Sequence, residues 1–190
     1  MENKLLFNKY YKGKHWVSYP TNYSEQFSKF LKKHNFNGLL VDIGCGEGKD
    51  VNVFYKNGFN ILGIDKSQEE IIIAKEKYSY CNFKLQDAEN LKFKDNYVSS
   101  FFIINVIHYT KMEKVMKEIY RTLKKGGYLF IHFNISITDN KGNVDYEHKE
   151  NEIEHLVSDF KVVEKRIIKR SEKDPIPHTH KIMELFLMKI

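Results

Sequence analysis

The chain is short of cysteine, proline and arginine, and each shortage excludes something. Its 190 residues hold two cysteines, Cys45 and Cys81, too few for a disulfide framework or a zinc knuckle. Three prolines and ten glycines rule out a collagen-like or low-complexity chain. The longest apolar runs, such as Phe101–Ile104 and Leu185–Met188, fall far short of the roughly 20 residues that span a bilayer. The opening MENKLLFNKYYKGK has no apolar h-region, so no secretory signal is expected. These absences lead us to expect a cytoplasmic protein with no membrane partner. Only Arg121, Arg166 and Arg170 are arginine; the other 28 basic residues are lysine, and the net charge is +6. Arginine is the residue of choice for gripping phosphates and stacking on bases. The lysines are spread along the chain with no block of five or six, so a solvated basic surface is expected rather than a nucleic-acid partner.

What is present is ordinary globular material, 42% hydrophobic and 29% charged. From Gly38 onward, apolar runs alternate with amphipathic segments. Residues 38–43, 59–64, 83–86, 97–105 and 128–133 read as strands. Helices are expected from Glu47 to Lys56, from Ser67 toward Tyr78 behind a capping box with Glu70, and from Met112 to Leu123. A polar stretch (134–149) then leads to a helix near Glu150–Asp159. Two long strand-like segments, 160–170 and 180–190, close the chain with no helix between them. Repeated strand–helix–strand units argue for a parallel sheet covered on both faces, and the last two strands for an antiparallel hairpin at its edge. The division expected is an N-terminal lid and docking helix over 1–37 and one α/β domain over 38–190.

The strongest local signal is Val41-Asp42-Ile43-Gly44-Cys45-Gly46-Glu47-Gly48, directly off the first strand. Glycines there permit a tight turn and a close approach of backbone to ligand. The spacing is G-x-G-x-G, preceded by an acid, whereas a nicotinamide fingerprint has G-x-G-x-x-G. A carboxylate in that place suits a ligand carrying an ammonium group. A second acid, Asp65, closes the second strand 19 residues beyond Gly46, where it can accept both hydroxyls of a ribose.

With VDIGCGEG, GIDKS (63–67), QDAENLKF (86–93), INVIHY (104–109) and LKKGGYLFI (123–131), the sequence resembles the class I S-adenosylmethionine-dependent methyltransferases. The likeness runs from about Gly38 to the C-terminus. It implies a doubly wound, Rossmann-like α/β sheet of seven strands ending in an antiparallel hairpin, with S-adenosylmethionine as cofactor and S-adenosylhomocysteine as product. It assigns Asp42, Gly44, Cys45 and Gly46 to the methionine end, and Asp65 and Lys66 to the ribose and adenine. Asp87 and Ala88 fall at the adenine edge, and Asn105 at the end of the fourth strand. Where relatives usually begin that strand with Phe-Asp, this chain has Val98-Ser99. The short chain and two-strand finish look like the small-molecule branch, loosely the tellurite-resistance-type and thiopurine-type enzymes. Methylation of tRNA or rRNA is the alternative, and a non-catalytic, cofactor-binding partner subunit the second.

The histidines are left over from these motifs. His108 and Tyr109 follow the fourth strand, where reacting groups sit in open α/β sheets, and His108 is the candidate base. His132 lies near the end of the fifth strand, and His178 and His180 open the last one. An antiparallel final strand would bring its start to the same sheet edge, so His108, His132 and one of the pair are expected to rim one pocket. Tyr11, Trp16, Tyr109 and His180 are the candidate acceptor contacts. No metal is expected.

Overall fold

The computed structural model describes residues 22–107, 110–172 and 177–190. The expected lid, with Tyr11 and Trp16, lies outside them, as do His108 and Tyr109.

Helix α1 (Asn22–Lys33) begins the described chain, with Glu25 in its first turn and Lys32 and Lys33 in its last, matching the helix dipole. Strand β1 (Leu39–Ile43) leads through the glycine loop to α2 (Lys49–Lys56). Strand β2 (Asn60–Asp65) leads to α3 (Gln68–Lys77), and β3 (Asn82–Leu85) follows. The capping box forms by halves. Ser67 Oγ accepts from Glu70 N at 3.2 Å, while Ser67 N donates to Asp65 Oδ1 at 2.9 Å. The apolar strand β4 (Val98–Ile104) precedes α4 (Met112–Thr122), which buries Val115, Met116 and Ile119 on one side.

Strand β5 (Leu123–Asp139) is far longer than the expected six residues. Leu123 already pairs with Val98, and the far end runs on into the stretch read as a polar connection. There it makes a hairpin with β6 (Val144–Glu147), an eighth strand that the sequence did not announce. Asp139 closes that turn, its carboxylate accepting from Lys141 N and Asn143 N at 2.8 Å each. Helix α5 (Glu150–Leu156) and the paired strands β7 (Phe160–Glu172) and β8 (His178–Lys189) finish the chain.

The sheet order is β3-β2-β1-β4-β5-β8-β7, with β6 off that path. Strands β3 to β5 are mutually parallel, and β8 and β7 are antiparallel, as expected. Two cores result. Val41, Ile43, Phe101 and Ile103 point toward α4 and α5. Leu40, Phe102, Phe130 and Phe186 point toward α1, α2 and α3. Phe27 of α1 lies on the second set, 5.9 Å from Phe102 and 5.5 Å from Phe130 between ring centroids. Ser99, where relatives carry an acid, is buried against Gly38, whose Cα hydrogen faces the Ser99 hydroxyl.

Candidate functional site

Strand register brings the predicted residues to one edge. Ile43 pairs with Ile64 on one side and Ile103 on the other, so the ends of β1, β2 and β4 lie level. Open α/β sheets bind ligands at this carboxyl edge. The chain leaves β1 through Gly44 (φ 71°), Gly46 (φ 50°) and Gly48 (φ 82°), three left-handed residues in five. At Gly44 no side chain fits, because a Cβ would run into the Val106 side chain. Gly48 caps α2 without any side-chain hydrogen bond.

Asp65 fastens that loop to β2. Gly46 N donates to Asp65 Oδ2 at 2.9 Å, Ser67 N holds Oδ1, and Gly44 N and Cys45 N donate to Ile64 O at 2.8 and 3.0 Å. Each carboxylate oxygen keeps a second lone pair for a ligand hydroxyl. Gln86 N donates to Asp65 O at 2.9 Å, which sets the turn after β3 beside it. In that turn Asp87 is exposed and takes Glu89 N on Oδ1 at 2.9 Å, while the Ala88 methyl is buried in the core. Lys66 is exposed. Asn105 has φ 57°, a conformation asparagine tolerates better than most residues, and turns the chain back at the end of β4. The loop ends after β3 and β4 are joined where Lys111 N donates to Glu89 Oε1 at 3.0 Å.

The electrostatics of this loop are acidic. Asp42 is 4% exposed; burial, reinforced by Asp50 and Asp65, holds its carboxyl well above the usual carboxylate range. Burial, and then the charges of Asp42, Asp65 and Glu70, push the Cys45 thiol up, so it is no nucleophile. Sequence reading placed Glu70 only in the capping box; its carboxylate lies beside the glycine loop, 3.6 Å from where a Gly46 side chain would begin. A sulfonium that also bears an ammonium group fits this surround, because its positive charges meet the buried acid and its neighbours. Close approach to glycine backbone and hydroxyl acceptance at Asp65 complete the fit.

The histidines separate. His132 pairs with Glu184, whereas His180 pairs with Ile137 and His178 with Asp139, on the unforeseen extension of β5. All three are buried. His178 Nε2 and His180 Nε2 are 2.9 Å apart, and His180 Nδ1 is 3.1 Å from Asn134 Oδ1. Asn134 lies two residues beyond His132 and so on the same face of β5. Among the described residues no group of three or more His, Cys, Asp or Glu could hold a metal. Sequence reading missed Glu184. Its signal was a lone acid inside the apolar run IMELFLM, at a position that alternation turns inward.

Comparison with known proteins agrees with the architecture. Residues 41–131 match the family model described as "Methyltransferase domain". A protein named methyltransferase 235L, from Invertebrate iridescent virus 6, is 34% identical over 125 residues, 58% of this chain and 46% of the relative. Sterol 24-C-methyltransferase of Saccharomyces cerevisiae is 26% identical over 153 residues, 75% and 39% of the two chains. A Bos taurus relative named for tRNA methylation is 33% identical over 108 residues, 55% of this chain and 23% of the relative. The matches thus span less than half the length of these relatives. The solved structure of TehB from Haemophilus influenzae superposes with a TM-score of 0.70 at 15% identity, over 97% of this chain and 66% of that one. No helix among the described residues is long and apolar enough to cross a membrane. Residues 41–131 therefore match a methyltransferase domain, and the chain shares the fold of TehB.

Proposed function

We propose that the chain transfers the methyl group of S-adenosylmethionine to a nucleophile on a small molecule. The cofactor supplies a methyl already activated by a sulfonium leaving group. The chain's own residues must bind, orient and exclude water, and in-line positioning in a dry pocket supplies most of the acceleration. Asp42 meets the ammonium group, Gly44 and Gly46 give the methionine end a side-chain-free surface, and Asp65 accepts from the ribose. The turn at Asp87 and Ala88 borders the adenine, with Lys66 beside it and Asn105 facing the methyl-bearing end. His108 and Tyr109 follow Asn105 and are assigned to the acceptor side, with Tyr11 and Trp16. The observation that carries the reading is the Gly46–Asp65 hydrogen bond, which fuses the glycine turn and the ribose acid into one unit.

A thiol, amine, hydroxyl, oxyanion and metalloid panel scored by S-adenosylhomocysteine release tests the reading. Turnover on at least one member is expected. The second reading, RNA methylation, draws on the Bos taurus relative. It predicts radiolabel transfer to bulk tRNA or rRNA, and binding that falls by orders of magnitude between about 50 and 200 mM salt. Transfer to RNA alone would replace the small-molecule reading. The scattered lysines argue for weak, unproductive RNA contact instead.

A further inference from the structure

The face of the sheet that carries Phe102, Phe130 and Phe186 changes character one row nearer the ligand edge. Register sets Asp42, Phe102, Phe130, Phe186 and Glu164 side by side across β1, β4, β5, β8 and β7. One row nearer the ligand edge, on the same face, stand Ile104, His132, Glu184 and Arg166 across β4, β5, β8 and β7, with the glycine loop following the last pair of β1 beside them. His132 is thus two strands from the glycine loop, about 10 Å at the usual strand spacing, and Glu184 one strand more. Tyr23, in the first turn of α1, closes over this second row, its ring centroid 5.0 Å from that of His132. The Tyr23 hydroxyl lies within the electrostatic reach of Arg170 and Glu184; burial sets its titration above the usual phenol range, with Arg170 opposing and Glu184 reinforcing. Arg166 Nη1 lies 3.9 Å from Glu184 Oε2 but donates more closely to Gln26 Oε1, at 2.7 Å, while Arg166 Nε donates to Glu164 Oε1 at 2.6 Å.

The fold does not need this row to be polar. One row back, phenylalanines fill the same face, with Phe102 and Phe130 stacked at 5.3 Å and Phe130 and Phe186 edge-on at 4.8 Å between ring centroids. Glu184 is 2% exposed and His132 1%. Burying ionisable groups where apolar ones would pack costs stability, and such costs concentrate at functional sites. The row is also the lateral continuation of the loop assigned to the methyl donor. We infer that His132, Glu184 and Tyr23 form the floor of the acceptor site, and that the acceptor is a small polar molecule whose nucleophilic nitrogen, oxygen or sulfur carries a hydrogen. This rests on the methyl-transfer reading above.

The step balances. The acceptor's lone pair forms the new bond to the methyl carbon, the carbon–sulfur bond breaks with its pair kept by sulfur, and the acceptor's proton passes to Glu184. Burial pushes the Glu184 carboxyl up, with Arg166 opposing, so it is the better proton acceptor for it. The groups facing it are His132 from β5, Arg166 and Glu164 from β7, and Tyr23 from α1. An isoprenoid or sterol chain would set apolar surface against the buried Glu184 carboxyl and His132 ring, which a polar acceptor meets better.

The test has two arms. In the first, wild type and Glu184→Gln are saturated with S-adenosylhomocysteine, and the His132 ring resonance is followed while benzylamine, 2-mercaptoethanol, phenol, tellurite and geraniol are added. A shift with a protonated polar probe that weakens at least tenfold in Glu184→Gln is expected. A shift with geraniol or tellurite alone, or with no probe, overturns the inference. In the second, any acceptor turned over is assayed against pH. Wild-type rate should rise as Glu184 loses its proton, and Glu184→Gln should lose that limb and raise the acceptor KM at least tenfold. Cofactor affinity should stay within about twofold, which also reports that the variant folds. An unchanged pH profile and KM overturn the assignment. Failure of the methyl-transfer reading looks different: no binding of S-adenosylmethionine to wild type, or transfer to RNA alone.

Discussion

The two ends of the ligand edge are built from different material. At β1 and β2 the chain shapes a surface with backbone: three left-handed glycines, a helix start without a side-chain cap, and one carboxylate that ties the turn down. Two and three strands from β1, at β5 and β8, the surface is made of side chains on strands paired along both edges. A backbone-built site must place its glycines and acids within a few residues of one another, so it leaves a motif. A site built across strands collects Tyr23, His132 and Glu184 from more than 100 residues of separation and leaves none.

Substitutions can break that comparison, and the largest effect is expected at Gly44. Gly44→Val would force a branched side chain into a left-handed residue and against Val106. Cofactor affinity should fall at least a hundredfold, with about 1–3 kcal/mol of stability lost. Calorimetric titration and urea unfolding measure the two; normal binding by the folded variant would mean that backbone does not shape the site.

Asp42 sharpens the comparison through pH. Its folded pKa lies above its unfolded one, so the folded state holds the proton more tightly. Stability associated with the proton is full below the unfolded pKa and is lost as pH rises through the folded one. Asp42→Asn should therefore raise the melting temperature of the ligand-free protein at neutral pH, by about 2–4 °C for each kcal/mol relieved. The same change should weaken cofactor binding about tenfold, because the ammonium group loses its partner. Melting curves from pH 4 to 8 decide it, and a lower melting temperature at pH 7 would show Asp42 to be structural.

Extending the phenylalanine row is the corresponding test at the other end. His132→Phe with Glu184→Leu should leave the melting temperature unchanged or raise it, since apolar groups replace buried polar ones. A large fall would mean that the polar row holds the fold together. The smallest effect on function is expected far from both ends. Lys189 Nζ donates to Tyr120 O, Leu123 O and Asn96 Oδ1 at 2.7, 2.8 and 2.8 Å, closing the end of α4. Lys189→Met should cost about 1–3 kcal/mol by urea unfolding, because buried carbonyls lose their donor. Cofactor affinity should not move.

The same contrast explains what the sequence made legible. Period-two and period-3.6 patterns placed five parallel strands, their helices and the final hairpin, because each element buries one face. The glycine turn and Asp65 were legible because their spacing is imposed by one turn and one crossover. The extension of β5 and the strand β6 were not, since residues 134–147 are polar and gain their strand character from pairing with each other and with β8. That extension carries His178 and His180 past His132, so topology alone expected a tighter histidine rim than pairing produced. Ser67 showed its cap in the sequence, but the partner of its own N–H is Asp65, a tertiary detail that no local pattern encodes.

The most direct measurement is one calorimetric titration of S-adenosylhomocysteine into three proteins: wild type, Asp65→Ala and Glu184→Gln. Saturable one-to-one binding is expected in wild type. Asp65→Ala should lose about ten- to a hundredfold in affinity, from roughly 1.5–3 kcal/mol of charge-assisted hydrogen bonding. Glu184→Gln should bind within about twofold of wild type. Equal losses in both variants, or full affinity in Asp65→Ala, would contradict a cofactor end made by the glycine turn and an acceptor end made by the β5–β8 face.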